Sequence, residues 1–69
     1  MQEGKVAEAI VIFKLNTELY PQSSNVYDSL GEAYMAKGDS EAAAANYKKS
    51  LELNPGNKNA VNMLKKLKP

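Results

Sequence analysis

Apolar residues recur every three to four positions along most of the 69-residue chain, the spacing of helices that bury one face. The pattern predicts four helices, over residues 5–20, 25–37, 40–53 and 58–67. Pro21 and residues 54–57 interrupt the pattern, and residues 22–25 offer capping side chains for the second helix. Gly38 can end that helix in the left-handed conformation, and Asp39 can cap the third. Because the connections are short, neighbouring helices should run antiparallel in an all-α fold.

A period of 34 residues relates the two halves of the chain. The matching pairs are Gly4/Gly38, Ala9/Ala43, Phe13/Tyr47, Lys14/Lys48, Glu18/Glu52, Leu19/Leu53, Pro21/Pro55, Asn25/Asn59 and Leu30/Leu64. A fixed period in this range is typical of stacked helical units, none of which can bury its own apolar face alone. The period therefore indicates a surface that holds another protein rather than a catalytic pocket.

Residues 24–57 resemble a complete tetratricopeptide repeat. The residues that carry the resemblance are Tyr27, Leu30, Gly31, Tyr34, Gly38, Asp39, Ala43, Tyr47, Ser50 and Pro55. The resemblance implies an antiparallel helix-turn-helix unit within a right-handed superhelical array. Residues 4–23 are similar to the second helix of a preceding, truncated repeat, and residues 58–69 to a C-terminal capping helix. Residues 1–69 are accordingly expected to form a single module.

The resemblance assigns packing roles to the repeated positions. The expected repeat core is Ala9, Phe13, Pro21, Tyr27, Leu30, Gly31, Tyr34, Ala43, Tyr47 and Pro55. Gly31 is expected where the two helices of the repeat approach each other most closely, with Ala43 as the small residue opposite. Residues 42–45 are all alanine and bury little area, so the contact between the third and last helices is expected to be weak.

The first helix is apolar nearly all round. Besides its core face it carries a second stripe, formed by Val11, Ile12, Leu15 and Leu19. By the register of the repeat the chain begins in the last turn of a missing helix, so upstream sequence, a second copy or a partner helix is expected to cover this stripe. For the isolated chain we expect self-association, most simply as a two-fold homodimer, with an exchange of helices through the Gly38 turn as a variant. The alternative is that the stripe fills the intramolecular core.

Repeats of this family usually receive an extended peptide or a helix along a groove lined by the first helix of each repeat. The resemblance carries that groove onto Asn25, Asp28, Ser29, Glu32, Met35, Asn59, Asn62, Met63 and Lys66. Asp28 and Glu32 stand where some members clamp a C-terminal carboxylate with Lys and Asn, and they would repel such a group. The groove therefore suits a partner protein or peptide that carries both charges better than a chaperone-type tail.

The composition argues against most other functions. The chain has no Cys, His, Trp or Arg, and Asp28 and Glu32 have no third ligand at a fitting spacing. No nucleophile has a candidate base beside it and no Gly-rich phosphate loop is present, so neither catalysis nor a metal or cofactor is expected. No apolar run reaches the length of a membrane span. A cytoplasmic location is favoured, although the sequence does not fix the compartment.

The net charge of +1 gives little information about the function. Four lysines, Lys58, Lys65, Lys66 and Lys68, follow the last acidic residue. A solvated helix end is the favoured interpretation, and a patch for nucleic acid or another anion the less favoured one. The leading hypothesis is thus a non-catalytic protein-interaction module. A purely structural oligomerisation unit or an engineered repeat fragment is the alternative.

Overall fold

The four predicted helices are confirmed. A computed structural model describes residues 3–67, which form α1 (Glu3–Leu19), α2 (Ser24–Lys37), α3 (Ser40–Leu53) and α4 (Lys58–Leu67). Helix α1 begins at Glu3 rather than at residue 5, and the other bounds agree with the prediction to within one residue. The described residues contain no strand, so the fold is an all-α helical repeat. Residues 1–2 and 68–69, including Lys68, lie outside the described part.

The turn between α2 and α3 is built as its sequence predicts. Gly38 has a φ of 91°, a left-handed conformation that only glycine adopts without strain, and its N–H donates to the carbonyls of Tyr34 and Met35. The Asp39 carboxylate then caps α3 by accepting from the N–H of Ala42 at 3.1 Å. This two-residue connection makes α2 and α3 an antiparallel pair.

The start of α2 differs from the prediction that side chains of residues 22–25 cap it. Ser23 is the N-cap residue, but its side chain makes no capping hydrogen bond. A tertiary contact joins this turn to α3, because the Ser50 hydroxyl donates to the carbonyl of Ser24 at 3.0 Å. A local rule for helix ends could not foresee a partner from another helix.

Two apolar clusters form the core. The first joins Val6 and Ile10 of α1 to Leu30 and Ala33 of α2. The second comprises Ala43, Tyr47 and Ala60, with Tyr34, Met35, Leu51, Met63, Leu64 and Leu67 packed against it. Tyr34 packs against both clusters and so connects them. Among helices consecutive in the chain, the contact of α2 with α3 is the most extensive and that of α3 with α4 the least, as the small side chains of α3 predicted.

One expectation about the core is wrong, and another gains a detail. Gly31 marks a close approach, and the nearest group is the Tyr47 ring: a Cβ on Gly31 would lie 3.0 Å from its Cζ. Ala43 is fully buried, in the cluster with Tyr47 and Ala60. Pro21 and Pro55 were expected in the core and are exposed. Each follows the end of a helix, where a residue that cannot continue the helix is favoured, and that position lies at the surface.

Candidate functional site

The face shared by α2 and α4 is the first candidate site. The Asn59 side-chain amide donates to both carboxylate oxygens of Asp28, at 3.2 and 3.1 Å, and so links the two helices. We call this face the α2–α4 groove and define it by the nine residues predicted to line it. Five of them are exposed, namely Asn25, Glu32, Asn59, Asn62 and Lys66. Four are half-buried, namely Asp28, Ser29, Met35 and Met63.

The floor of the α2–α4 groove is apolar. Met35 of α2 and Met63 of α4 pack against the Ala43, Tyr47 and Ala60 cluster. The two methionines are therefore partly committed to the core, and the exposed polar residues form the rims. Methionine adapts its shape to neighbouring groups, so such a floor can accommodate varied side chains of a ligand.

A buried phenol lies behind the acidic rim. Tyr47 is 1% exposed, and burial raises the pKa of its hydroxyl above the ordinary value of 10.0. The carboxylates of Asp28 and Glu32 raise this pKa further, because a negative charge nearby disfavours ionisation of the phenol. The repeat pattern identified Tyr47 as a core residue, but its electrostatic link to the groove depends on packing between helices that spacing alone does not reveal.

Ser50 fixes how the helices of the groove are placed. Its side chain is fully buried, donates to the carbonyl of Ser24 at 3.0 Å and accepts from the Asn57 side-chain amide at 2.8 Å. The side-chain oxygen Oδ1 of Asn57 in turn accepts from the N–H of Ala60 at 3.2 Å, in the first turn of α4. One hydroxyl thus links the start of α2, the end of α3 and the start of α4. The role of Asn57 was not foreseen, although Asn just before a helix is a capping signal.

An apolar stripe lies exposed on α1. Val11 is 67% exposed, Ile12 57%, Leu15 52% and Leu19 60%. The interpretation that these side chains fill the intramolecular core is therefore wrong. We call these four positions the α1 stripe. Within the described residues, the α1 stripe is open to solvent.

A cleft lies between α1 and α2, and the sequence did not predict it. Its volume is about 280 Å³. The lining residues are Val6, Ala9 and Phe13 of α1 with Ser29, Glu32, Ala33 and Ala36 of α2. We call it the α1–α2 cleft. Ser29 and Glu32 belong both to this cleft and to the predicted groove, so helix α2 contributes to both sites.

Among residues 3–67, no three histidine, cysteine or acidic side chains come together in a way that could hold a metal ion. Over the same residues, no helix combines enough length with enough apolar character to cross a bilayer. The α1–α2 cleft is mostly apolar, with Ser29 and Glu32 as its polar residues. The α2–α4 groove is mostly polar, with Met35 and Met63 as its apolar residues. The fold and sites together define a helical-repeat protein.

The family model described as tetratricopeptide repeat matches residues 24–57, from the start of α2 to the turn before α4. The chain belongs to the tetratricopeptide repeat family through this complete repeat, as the sequence predicted. Repeats of this family are non-catalytic scaffolds that mediate protein–protein interactions. No curated protein is similar enough in sequence to the chain to serve as a relative.

Proposed function

We propose that the chain is a protein-interaction module that receives an extended peptide or a helix along the α2–α4 groove. The observation that carries the proposal is the Asn59–Asp28 hydrogen bond, which aligns the two helices with their exposed polar side chains on one face. Two helices offer only a short groove, and binding must first offset the freedom that the ligand loses. The affinity of this chain alone should therefore be modest.

Charge favours one class of ligand and one direction of binding. The α2 rim carries Asp28 and Glu32, whereas the α4 rim carries Lys66 in its last turn. A peptide with a basic end on α2 and an acidic end on α4 would match both rims. A ligand that presents a carboxylate to α2 would be repelled.

Fluorescence anisotropy with labelled peptides tests this proposal. Peptides with one basic and one acidic end should bind, more weakly at high salt because the rims are exposed. Glu32→Lys and Lys66→Glu should each weaken binding, and the double exchange should favour a peptide of reversed charge order. Lys14→Glu, on exposed α1 surface outside the groove, is the matched control. Absence of binding at millimolar peptide, or binding that neither variant changes, would refute the proposal.

A second proposed function is self-association through the α1 stripe, which its exposure of 52–67% at four neighbouring positions supports. Complete burial of an aliphatic side chain of this size contributes about 1.5–3 kcal/mol. A two-fold arrangement would pair the stripe with its own copy, because such an interface uses the same surface twice. The stripe then acts as a homodimerisation surface while the groove remains free.

Light scattering over a concentration series tests self-association. The chain should form dimers in the micromolar range, and Val11→Asp or Leu15→Asp should return it to a monomer. Ala45→Asp is the matched control, because Ala45 is exposed at the place in α3 that corresponds to Val11 in α1. A strictly monomeric chain at high micromolar concentration would exclude this function and leave the groove proposal untouched.

A further inference from the structure

Helix α3 shows which positions stay exposed when a helix of this fold has neighbours on both sides. It packs between α2 and α4, whereas α1 makes its extensive contact with α2 alone. Ala45 and Lys49 stand 34 residues after Val11 and Leu15, and both remain exposed. The Lys49 side chain is 46% exposed, although its ammonium lies 6.0 Å from the centre of the Tyr27 ring of α2. A helix that preceded α1 in the register of the repeat would therefore leave Val11 and Leu15 exposed.

The other two positions of the α1 stripe differ in this respect. Ile12 and Leu19 correspond to Asn46 and Leu53, which are half-buried in α3. A preceding helix would cover these two side chains in part. The Val11 side of the stripe is thus a lateral surface, which the stacking of further repeats does not use.

The charges beside the stripe are arranged symmetrically along it. The stripe runs from Val11 to Leu19, with Leu15 at its midpoint. Lys14 and Glu18 are exposed along one edge, on opposite sides of this midpoint. In an antiparallel pair of identical helices each edge meets the same edge of the other copy, so Lys14 of each copy lies beside Glu18 of the other. The edge is therefore complementary to itself in charge.

A parallel pair would meet the opposite situation. Glu8 is exposed on the helix face that carries the stripe, one turn before Val11 and Ile12. In a parallel pair each residue meets its own counterpart, so two Glu8 carboxylates would repel each other in the interface. In an antiparallel pair centred on Leu15, Glu8 comes beside residue 22 of the second copy, beyond the end of α1 at Leu19, and stays in water.

We propose that the stripe binds a second copy of the chain as an antiparallel α1–α1 pair centred on Leu15, with Lys14 of each copy paired with Glu18 of the other. The pairing rests on the self-association proposed above and adds its geometry. It does not compete with repeats stacked before α1, because it uses the lateral surface. One helix face is small beside stable interfaces, which bury roughly 1,200–2,000 Å² in total, so the dimer should dissociate in the micromolar range.

Single cysteines test the geometry, because the chain has none of its own. Leu15→Cys should form a disulfide-linked dimer under mild oxidation, since the two side chains face each other across the two-fold axis. Val11→Cys and Leu19→Cys should link poorly alone and efficiently when the two variants are mixed. Ala45→Cys, exposed on α3, is the matched control and should not link.

Charge exchange tests the ion pairs, with the dissociation constant of the dimer measured by analytical ultracentrifugation. Lys14→Glu and Glu18→Lys should each weaken the dimer about tenfold, and the double exchange should restore it. Lys48→Glu and Glu52→Lys change the corresponding exposed pair in α3 and should have no effect.

An extended chain tests independence from preceding repeats. In it a copy of residues 24–37 directly precedes Gly4, as the 34-residue register requires, and circular dichroism checks that the added helix forms. This chain should still dimerise, and Leu15→Cys should still link it.

The outcomes separate this proposal from self-association itself. A chain that stays monomeric at high micromolar concentration overturns both and leaves the stripe to a different polypeptide. A dimer in which Val11→Cys and Leu19→Cys each link to themselves is parallel and overturns the geometry alone. So does a dimer that the charge exchanges do not change. A monomeric extended chain would show that a preceding helix covers the stripe, which overturns the lateral pairing.

Discussion

Helices α1 and α3 hold corresponding places in the repeat, yet their side chains meet different surroundings. Tyr47 of α3 is 1% exposed, while Phe13 at the same place in α1 is half-buried. Ser50 is fully buried, while its counterpart Asn16 is half-buried. Helix α3 packs between α2 and α4, whereas α1 makes its extensive contact with α2 alone. At these two positions the side chain is thus more enclosed in α3, which has two neighbouring helices, than in α1, which has one.

The difference has consequences for stability. A chain of this length buries only about 60% of the surface that its unfolded form exposes, so each buried side chain matters. Most of the buried side chains belong to the α2–α3–α4 part, while α1 contributes Val6 and Ile10. Helix α1 should therefore open more readily than α2 and α3, and amide exchange should be faster along it than along those two helices. Matched substitutions at corresponding places measure the contrast directly.

The largest contrast is expected between Tyr47→Ala and Phe13→Ala. Removal of a fully buried aromatic side chain typically costs about 3–5 kcal/mol, which is enough to unfold a domain of this size. Phe13→Ala should cost less than half as much, because one side of the ring already faces the α1–α2 cleft. Urea unfolding followed by circular dichroism measures both values. Equal losses would show that the cleft is covered in solution.

The next contrast compares Ser50→Ala with Asn16→Ala. The first substitution leaves the Ser24 carbonyl and the Asn57 amide without their partner, and an unsatisfied buried group costs about 1–3 kcal/mol. Asn16 is half-buried, and its side chain makes no hydrogen bond within the described residues. Its replacement by alanine should therefore lower the free energy of unfolding only slightly. Thermal unfolding of the two variants, with Ser50→Thr as a test for the hydroxyl itself, measures the difference. If Ser50→Ala unfolds like the wild type, the hydroxyl does not organise the three helices.

A smaller contrast separates two glycines within helices. Gly31→Ala should destabilise the fold by about 1 kcal/mol net, because overpacking against the enclosed Tyr47 ring outweighs the gain in helix propensity. Gly4→Ala should stabilise it by less than about 1 kcal/mol, since nothing lies within 4 Å of the added Cβ. Chemical denaturation at a single protein concentration compares them. Stabilisation by Gly31→Ala would contradict the close approach of α2 and α3.

The helices and the family followed from the sequence because both depend on local and periodic signals. Pro21, Gly38 and residues 54–57 mark helix ends whatever the tertiary structure. The 34-residue period then fixes which helices are neighbours. The resemblance to the tetratricopeptide repeat, rather than the period, places Gly31 at a close approach.

The details that the sequence did not predict all concern contacts between side chains of different helices. The family pattern places Gly31 at a close approach, but it does not say that the nearest group is the Tyr47 ring. The start of α2 is held by Ser50 from a distant part of the chain, so capping rules for neighbouring residues missed it. The α1–α2 cleft was missed for the same reason, because it forms only where side chains of two helices meet.

The smallest contrast concerns pH. In the folded protein the pKa of Tyr47 lies above 10.0, because burial and the nearby Asp28 and Glu32 disfavour the phenolate. Above pH 10.0 the unfolded chain releases this proton while the folded chain keeps it, so stability falls as pH rises from there toward the folded pKa. Tyr47→Phe removes the group that titrates. The free energy of unfolding should then decrease less steeply with pH, and the difference in slope should be at most about 1.4 kcal/mol per pH unit. Urea unfolding from pH 8 to 11 measures the slope, with Tyr20→Phe as the control at an exposed tyrosine. An unchanged slope in Tyr47→Phe would mean that the phenol is less enclosed in solution than its place between α2 and α3 implies.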